Sequence, residues 1–185
     1  MIENRIKDWT AEIEAISSDY INTLQGLDIA TLNTKPNANT WSIAQVLGHV
    51  IKTDESYYSE LEDIKSGKTK ISLWGKIGFL NNFFGNFILK SVQPDAKRKI
   101  KTFPVWEPGN SNISGDILQR FQQDQNNLVQ FIQDNMDLIE KNQRIHSPAS
   151  KAIVYKFDKV IEILIAHERR HLKQAKEILA VVKKA

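Results

Sequence analysis

The chain of 185 residues contains no cysteine. That absence removes disulfides, iron–sulfur clusters, Cys-bearing zinc fingers and thiol nucleophiles, so any metal ion must be held by His, Asp, Glu or water. A long apolar run is also missing. The richest stretch, from Ile71 to Val92, is interrupted by Lys76, Asn81, Asn82, Asn86 and Lys90, which argues against a bilayer span and for an amphipathic helix. The opening residues MIENRIKDWTAEIEAI carry charge at helical intervals and lack the apolar core of a signal peptide, so the expected location is cytoplasmic and no membrane partner is expected. Neither strand alternation, nor a hairpin signal, nor an internal repeat is visible.

What is present is helical periodicity. With 41% hydrophobic residues over this length, residues 1–185 read as a single domain. Ile2, Ile6, Trp9, Ile13, Ile16, Tyr20, Leu24 and Leu27 keep one apolar stripe, ended by Gly26 and the polar stretch TLNTKPNANT. A second helix starts near Thr40 or Trp41, turns Ile43, Leu47, Val50, Tyr57, Leu61 and Ile64 inward, and stops at Ser66 and Gly67. A third follows a Ser114 N-cap and runs through Ile117, Leu118, Phe121, Leu128, Phe131, Ile132, Leu138 and Ile139. The fourth spans about Lys156 to Val182. The fold class is therefore all-α: a four-helix bundle, up-and-down, with one long crossover at residues 66–112 between helices two and three.

The formal net charge of +3 is unevenly spread. From Lys65 to Glu107 nine Lys or Arg face two acidic residues, a local net of +7, while the rest of the chain, with 16 basic and 20 acidic residues, stands at −4. The densest run is Lys97, Arg98, Lys99 and Lys101. It reads either as a solvated loop or as a site for an anionic small molecule. Nucleic acid is not expected, because the nearby aromatics follow helical spacing and no recognition motif surrounds them. Leu73, Ile77, Leu80, Phe84 and Phe87 sit at bundle spacing within this insert, as a short fifth helix capping the bundle or as a lid or homodimer surface.

Phe157, Val160, Leu164, His167, His171, Gln174, Ile178 and Val181 alternate by three and four, the seam that faces inward in a bundle. Two imidazoles and an amide thus occupy positions where a core expects leucine. Leaving such groups unpartnered costs on the order of 1–3 kcal/mol each, so something must satisfy them. His167 and His171 leave one helix face with Cβ atoms roughly 6 Å apart, within reach of one ion. A third imidazole would complete the site, and His49 lies on the second helix beside a strip of small side chains, Ser42, Thr53 and Ser56, that leaves room for a ligand. His167-Glu168-Arg169-Arg170-His171 matches a zinc-protease motif in letters, but the seam turns Glu168 away by about 100° and no strands accompany it. His146, beside Ser147 and Pro148, reads as a turn residue.

The segments WSIAQVLGHV, from Trp41 to Val50, and AHERRHLKQAKEIL, from Ala166 to Leu179, resemble the DinB superfamily of metal-dependent four-helix bundles, which includes bacillithiol S-transferase-like proteins. The resemblance covers nearly the whole chain, and KTFPVWEP resembles the proline-bearing approach to the third helix in that family. It implies that His49, His167 and His171 form a three-histidine site for one divalent transition metal ion, Zn, Ni, Fe or Mn.

Three neutral imidazoles leave coordination positions open for water or substrate, the arrangement of a reactive centre. Such a metal lowers the pKa of a bound thiol. Because the protein has no Cys, the resemblance implies a low-molecular-weight thiol as cosubstrate and a small electrophile as its target, in detoxification or stress response. Gln174, one turn beyond His171, is the candidate to orient that imidazole from behind. No residue is singled out as catalytic. Two classes stay open: a metal-dependent thiol S-transferase, and a metal-binding bundle without turnover.

Overall fold

The computed structural model describes residues 2–71, 78–96, 101–109 and 112–184, with the side chains of 78–81 outside that set. Helix α1, Ile2–Leu24, buries Ile6, Trp9, Ile13, Ile16, Tyr20 and Leu24 along the expected stripe. Gly26 then adopts φ +78°, a left-handed turn that an L side chain resists. A short helix α2, Ile29–Asn33, follows. Helix α3, Ile43–Lys65, starts at a reciprocal cap: the Ser42 hydroxyl accepts from the Gln45 amide and the Gln45 side chain accepts from the Ser42 amide.

The remaining elements are α4, Gly78–Ser91; a 3₁₀ turn at Pro104–Trp106; α5, Ile117–Asp134; α6, Met136–Glu140; strands β1, Arg144–Ser147, and β2, Ser150–Lys156; and α7, Phe157–Val182. Helices α1, α3, α5 and α7 form the bundle, with α1 and α3 each packed on α5 and α7. Their directions follow from the contacts between them. Gly48 lies by Ile113, Tyr58 bonds Asp124 and Lys65 bonds Asn135, so α3 and α5 run parallel. Arg5 reaches Asp158 and Lys176 reaches Asp19, so α1 and α7 also run parallel, opposite to the other pair. The long crossover carries the chain back to the end where α3 began. The all-α bundle with that crossover is thus the architecture observed, but with α3 and α5 parallel its helices run up-down-down-up and not in the expected up-and-down order.

Several local expectations are corrected. Helix three breaks at Asn135, whose side-chain amide donates to the Phe131 carbonyl at 2.7 Å, and restarts as α6. Asp116, not Ser114, stands in the cap position of α5, and the Ser114 hydroxyl bonds the Asp116 carboxylate instead. A hairpin precedes α7, although none was expected: β1 pairs antiparallel with β2, Ile145 opposite Tyr155. Its signal is masked because the turn is Pro148-Ala149, without Gly or Asn, and because burial in β2 does not alternate. The crossover helix α4 packs along β2 and α7. Gly85 is its point of close approach, since a Cβ there would lie 2.7 Å from Lys159 Cγ. Phe84 is half-buried, whereas Phe83 and Phe87, stacked with centroids 6.5 Å apart, are exposed. Leu73, Ile77, Lys97, Arg98 and Lys99 lie outside the described residues.

His146 is no turn residue. It belongs to β1, is buried, and its Nδ1 lies 3.0 Å from Glu60 Oε1 on α3. Beside it the Tyr57 and Tyr155 hydroxyls meet at 2.5 Å, so two polar contacts fasten the hairpin to α3. Replacing His146 with Ala leaves the partly buried Glu60 carboxylate without that partner, a loss of about 1–3 kcal/mol. The urea midpoint of His146→Ala should fall accordingly with an unchanged slope, and an unaltered midpoint would show that the contact does not hold the hairpin.

Candidate metal centre

His49, His167 and His171 come together: spacing anticipated the pair on α7, and the resemblance implied His49 as the third. Helix α3 supplies one imidazole and the antiparallel α7 the other two. Ring centroids lie 4.4 to 4.9 Å apart, and one ring nitrogen from each residue falls within 4.8 Å of the others. All three side chains are buried. A tetrahedral ion with bonds of 2.0–2.1 Å would hold its nitrogens roughly 3.3 Å apart. His49 Nε2 and His167 Nε2 are 3.0 Å apart, so little movement separates this cluster from a ligand set.

Hydrogen bonds behind two of the rings decide which nitrogen faces inward. His49 Nδ1 donates to the Trp106 carbonyl at 2.7 Å, and His171 Nδ1 donates to Gln174 Oε1 at 2.8 Å. Each bond places the proton on Nδ1 and frees the Nε2 lone pair. Gln174 therefore occupies the position expected of it. His167 Nδ1 is buried without a partner. Two fixed lone pairs and a third imidazole turned to one point repel one another unless a proton or a cation lies between them, and the donor set suits a divalent transition ion.

Burial is the main cause that keeps these rings neutral. It lowers the pKa of His49, pushes that of His167 well down, and brings His171 to about 3, with the nearby His49 adding to the last. Neutral rings are the form that binds metal.

The surroundings differ from expectation in one respect. The strip formed by Ser42, Thr53 and Ser56 does not stand open: the Trp106 indole donates to the Ser56 hydroxyl at 2.9 Å and stacks on Tyr57. Gln45 and Lys52 donate to the carbonyls of Gly109 and Glu107, so the chain from Phe103 to Gly109 is strapped along α3. Trp41 covers the other side, 5.0 Å from the His49 ring and stacked on His171 at 6.4 Å. Both tryptophans lie in the segments already singled out, but nothing in their spacing tells that one contributes a carbonyl and the other a face.

Glu168 points away from the imidazoles, as the seam requires. It joins Asp54 and Asp124 in a buried group of carboxyls, and Gln125 Nε2 donates to its Oε1 at 2.8 Å. Burial raises Glu168 to about 8, Asp124 to about 7 and Asp54 well above its usual range. Their signal was legible, since Leu47, Val50, Asp54, Tyr57 and Leu61 form one stripe and Ile117, Phe121, Asp124 and Leu128 another.

The chain belongs to the DinB superfamily, whose model matches residues 12–175, a range that includes all three histidines, the strap and Gln174. No curated protein and no solved structure matches it.

The pH dependence of the metal-free protein follows from burial. Each folded-state histidine pKa lies below the unfolded value of about 6.5, so the unfolded chain binds protons first as pH falls. The neutral-imidazole contribution is complete above about pH 6.5 and is lost as pH drops toward the folded values. His171→Leu removes one such group and places an apolar side chain on the seam. Its metal-free form should equal or exceed wild type in urea midpoint at pH 7, and its stability should fall less steeply below pH 6.5, by up to about 1.4 kcal/mol per unit. Equal slopes for the two proteins would contradict the burial argument.

Proposed function

We propose that this protein is a metal-dependent transferase in which one divalent ion, held by His49, His167 and His171, activates a low-molecular-weight thiol for attack on a small electrophile. The observation that carries this reading is the orientation of the imidazoles: hydrogen bonds to the Trp106 carbonyl and to Gln174 leave two Nε2 lone pairs facing a third ring in a buried cluster. When bound, a divalent ion in such a site supplies Lewis acidity that makes a thiolate available at neutral pH. The chain's own residues hold and orient. His49 and His171 are locked in one tautomer, Trp41 and Trp106 exclude water from their rings, and no cysteine competes as nucleophile. The basic crossover, with Lys90 and Lys101 among its described residues, supplies positive charge for the carboxylates of an anionic thiol. Detoxification or stress response in the cytoplasm is the setting this chemistry suits, and the exposed Phe83–Phe87 pair is a surface for a homodimer.

A second reading is favoured by one observation. All three imidazoles are nearly closed off, each at most 8% exposed, with Trp41 and the strap over them. A bundle that keeps its metal for binding or stability, without turnover, fits that enclosure.

Cobalt separates the two. Added thiol should produce sulfur-to-metal charge-transfer absorption in the cobalt-loaded protein, whereas an unchanged spectrum across a panel of thiols would favour the non-catalytic reading. Ala at His49, His167 or His171 should abolish stoichiometric metal and the metal-dependent rise in melting temperature to nearly equal extents, while Ala at His146 should leave metal content intact. Retention of metal by any of the three variants, or its loss with His146→Ala, would remove the assignment.

A further inference from the structure

Gln45, His49, Lys52 and Ser56 follow one another along α3 at alternating intervals of four and three, so their side chains leave one face of the helix. All four reach the same segment. Gln45 Nε2 donates to the Gly109 carbonyl at 3.2 Å, His49 Nδ1 to that of Trp106 at 2.7 Å and Lys52 Nζ to that of Glu107 at 3.0 Å. The Ser56 hydroxyl accepts from the Trp106 indole at 2.9 Å. The strap offers little burial in return: no residue from Phe103 to Gly109 is buried, and Phe103 and Val105 are each 43% exposed. Apart from the Trp106 ring stacked on Tyr57, hydrogen bonds from α3 fasten it, not buried apolar surface. Segments held in this way open at a fraction of the global unfolding free energy.

One rung of that ladder, His49, is also a ligand of the candidate metal centre. We propose that docking of the strap and occupancy of the metal centre are one linked equilibrium, with Lys52 and Ser56 as positioning residues that hold His49 for the ion through the strap. This inference rests on the three-histidine reading of the cluster. Undocking removes the Trp106 carbonyl, and His49 then loses the bond that keeps its proton on Nδ1 and its Nε2 turned to His167. Ligation acts the other way: a neutral His49 bound through Nε2 carries its proton on Nδ1, the form that donates to Trp106. Such coupling is reciprocal, so the factor by which the docked strap tightens the ion equals the factor by which the ion tightens the strap.

Two measurements read the two sides. Zinc affinity is measured by competition with a chromophoric chelator for wild type and for the double variant Lys52→Met, Ser56→Ala, which removes two fastenings and keeps all three histidines. The variant should bind zinc at least about fivefold more weakly. The sign separates this effect from direct electrostatics, because Lys52 is a cation whose charge acts on His49 and its removal alone favours a bound cation. Amide hydrogen exchange of the wild-type chain reads the strap itself. The Trp106 and Glu107 amides donate to the Phe103 and Pro104 carbonyls within the 3₁₀ turn, and zinc should slow their exchange by at least about fivefold. Unchanged zinc affinity in the double variant, or strap exchange that zinc leaves unaltered, would overturn the linkage while the metal centre stands. A wild-type chain that takes up no zinc would remove both.

Discussion

Three uncharged imidazoles turned toward one another inside a helical bundle are the constraint on which the rest of this structure depends. Burial withholds the proton that would otherwise quiet each lone pair, and the same burial strips away the water that would bond it. The chain answers with hydrogen bonds behind the rings. The Trp106 carbonyl and the Gln174 amide oxygen each take an Nδ1 proton, so those two rings are held in orientation with Nε2 as the unprotonated nitrogen, and His49 Nε2 lies 3.0 Å from His167 Nε2. A cluster built this way could hold a divalent ion with little rearrangement.

The topology serves that cluster. Because α3 and α7 run antiparallel in contact, a histidine near the start of α3 faces the middle of α7, where two more lie one turn apart. Because the crossover returns the chain to the same end before α5 begins, the segment from Phe103 to Gly109 passes over His49 and gives it its acceptor. An alternating bundle with a short second connection would leave that carbonyl elsewhere. The buried acids obey the same geometry one layer on: Asp54 follows His49 along α3, Glu168 follows His167 along α7, and each points to the α5 side where the histidines do not.

Much of this was legible in the residues. The alternating seam of α7 placed His167, His171 and Gln174 inward, and it turned Glu168 aside, because helical periodicity alone fixes direction around an axis. The Gly26 turn and the stop after Lys65 were equally readable from local chemistry. The hairpin was not, since Pro148-Ala149 is an uninformative turn and β2 is held by Tyr155 meeting Tyr57 across the fold. For the same reason His146 passed for a turn residue: its partner, Glu60, is distant in sequence. The role of Trp106 as acceptor is carried by its backbone, which side-chain identity cannot reveal. Asp54 and Asp124 were readable by the argument that singled out the histidines, an ionisable group on an apolar stripe.

X-ray absorption at the zinc edge, on the chain loaded with one equivalent of zinc, tests the central claim most directly. The account predicts three imidazole nitrogens at about 2.0–2.1 Å, seen in the multiple-scattering pattern of the rings, with the remaining position taken by an oxygen donor. A shell of oxygen donors alone, or one with fewer than two imidazoles, would contradict it.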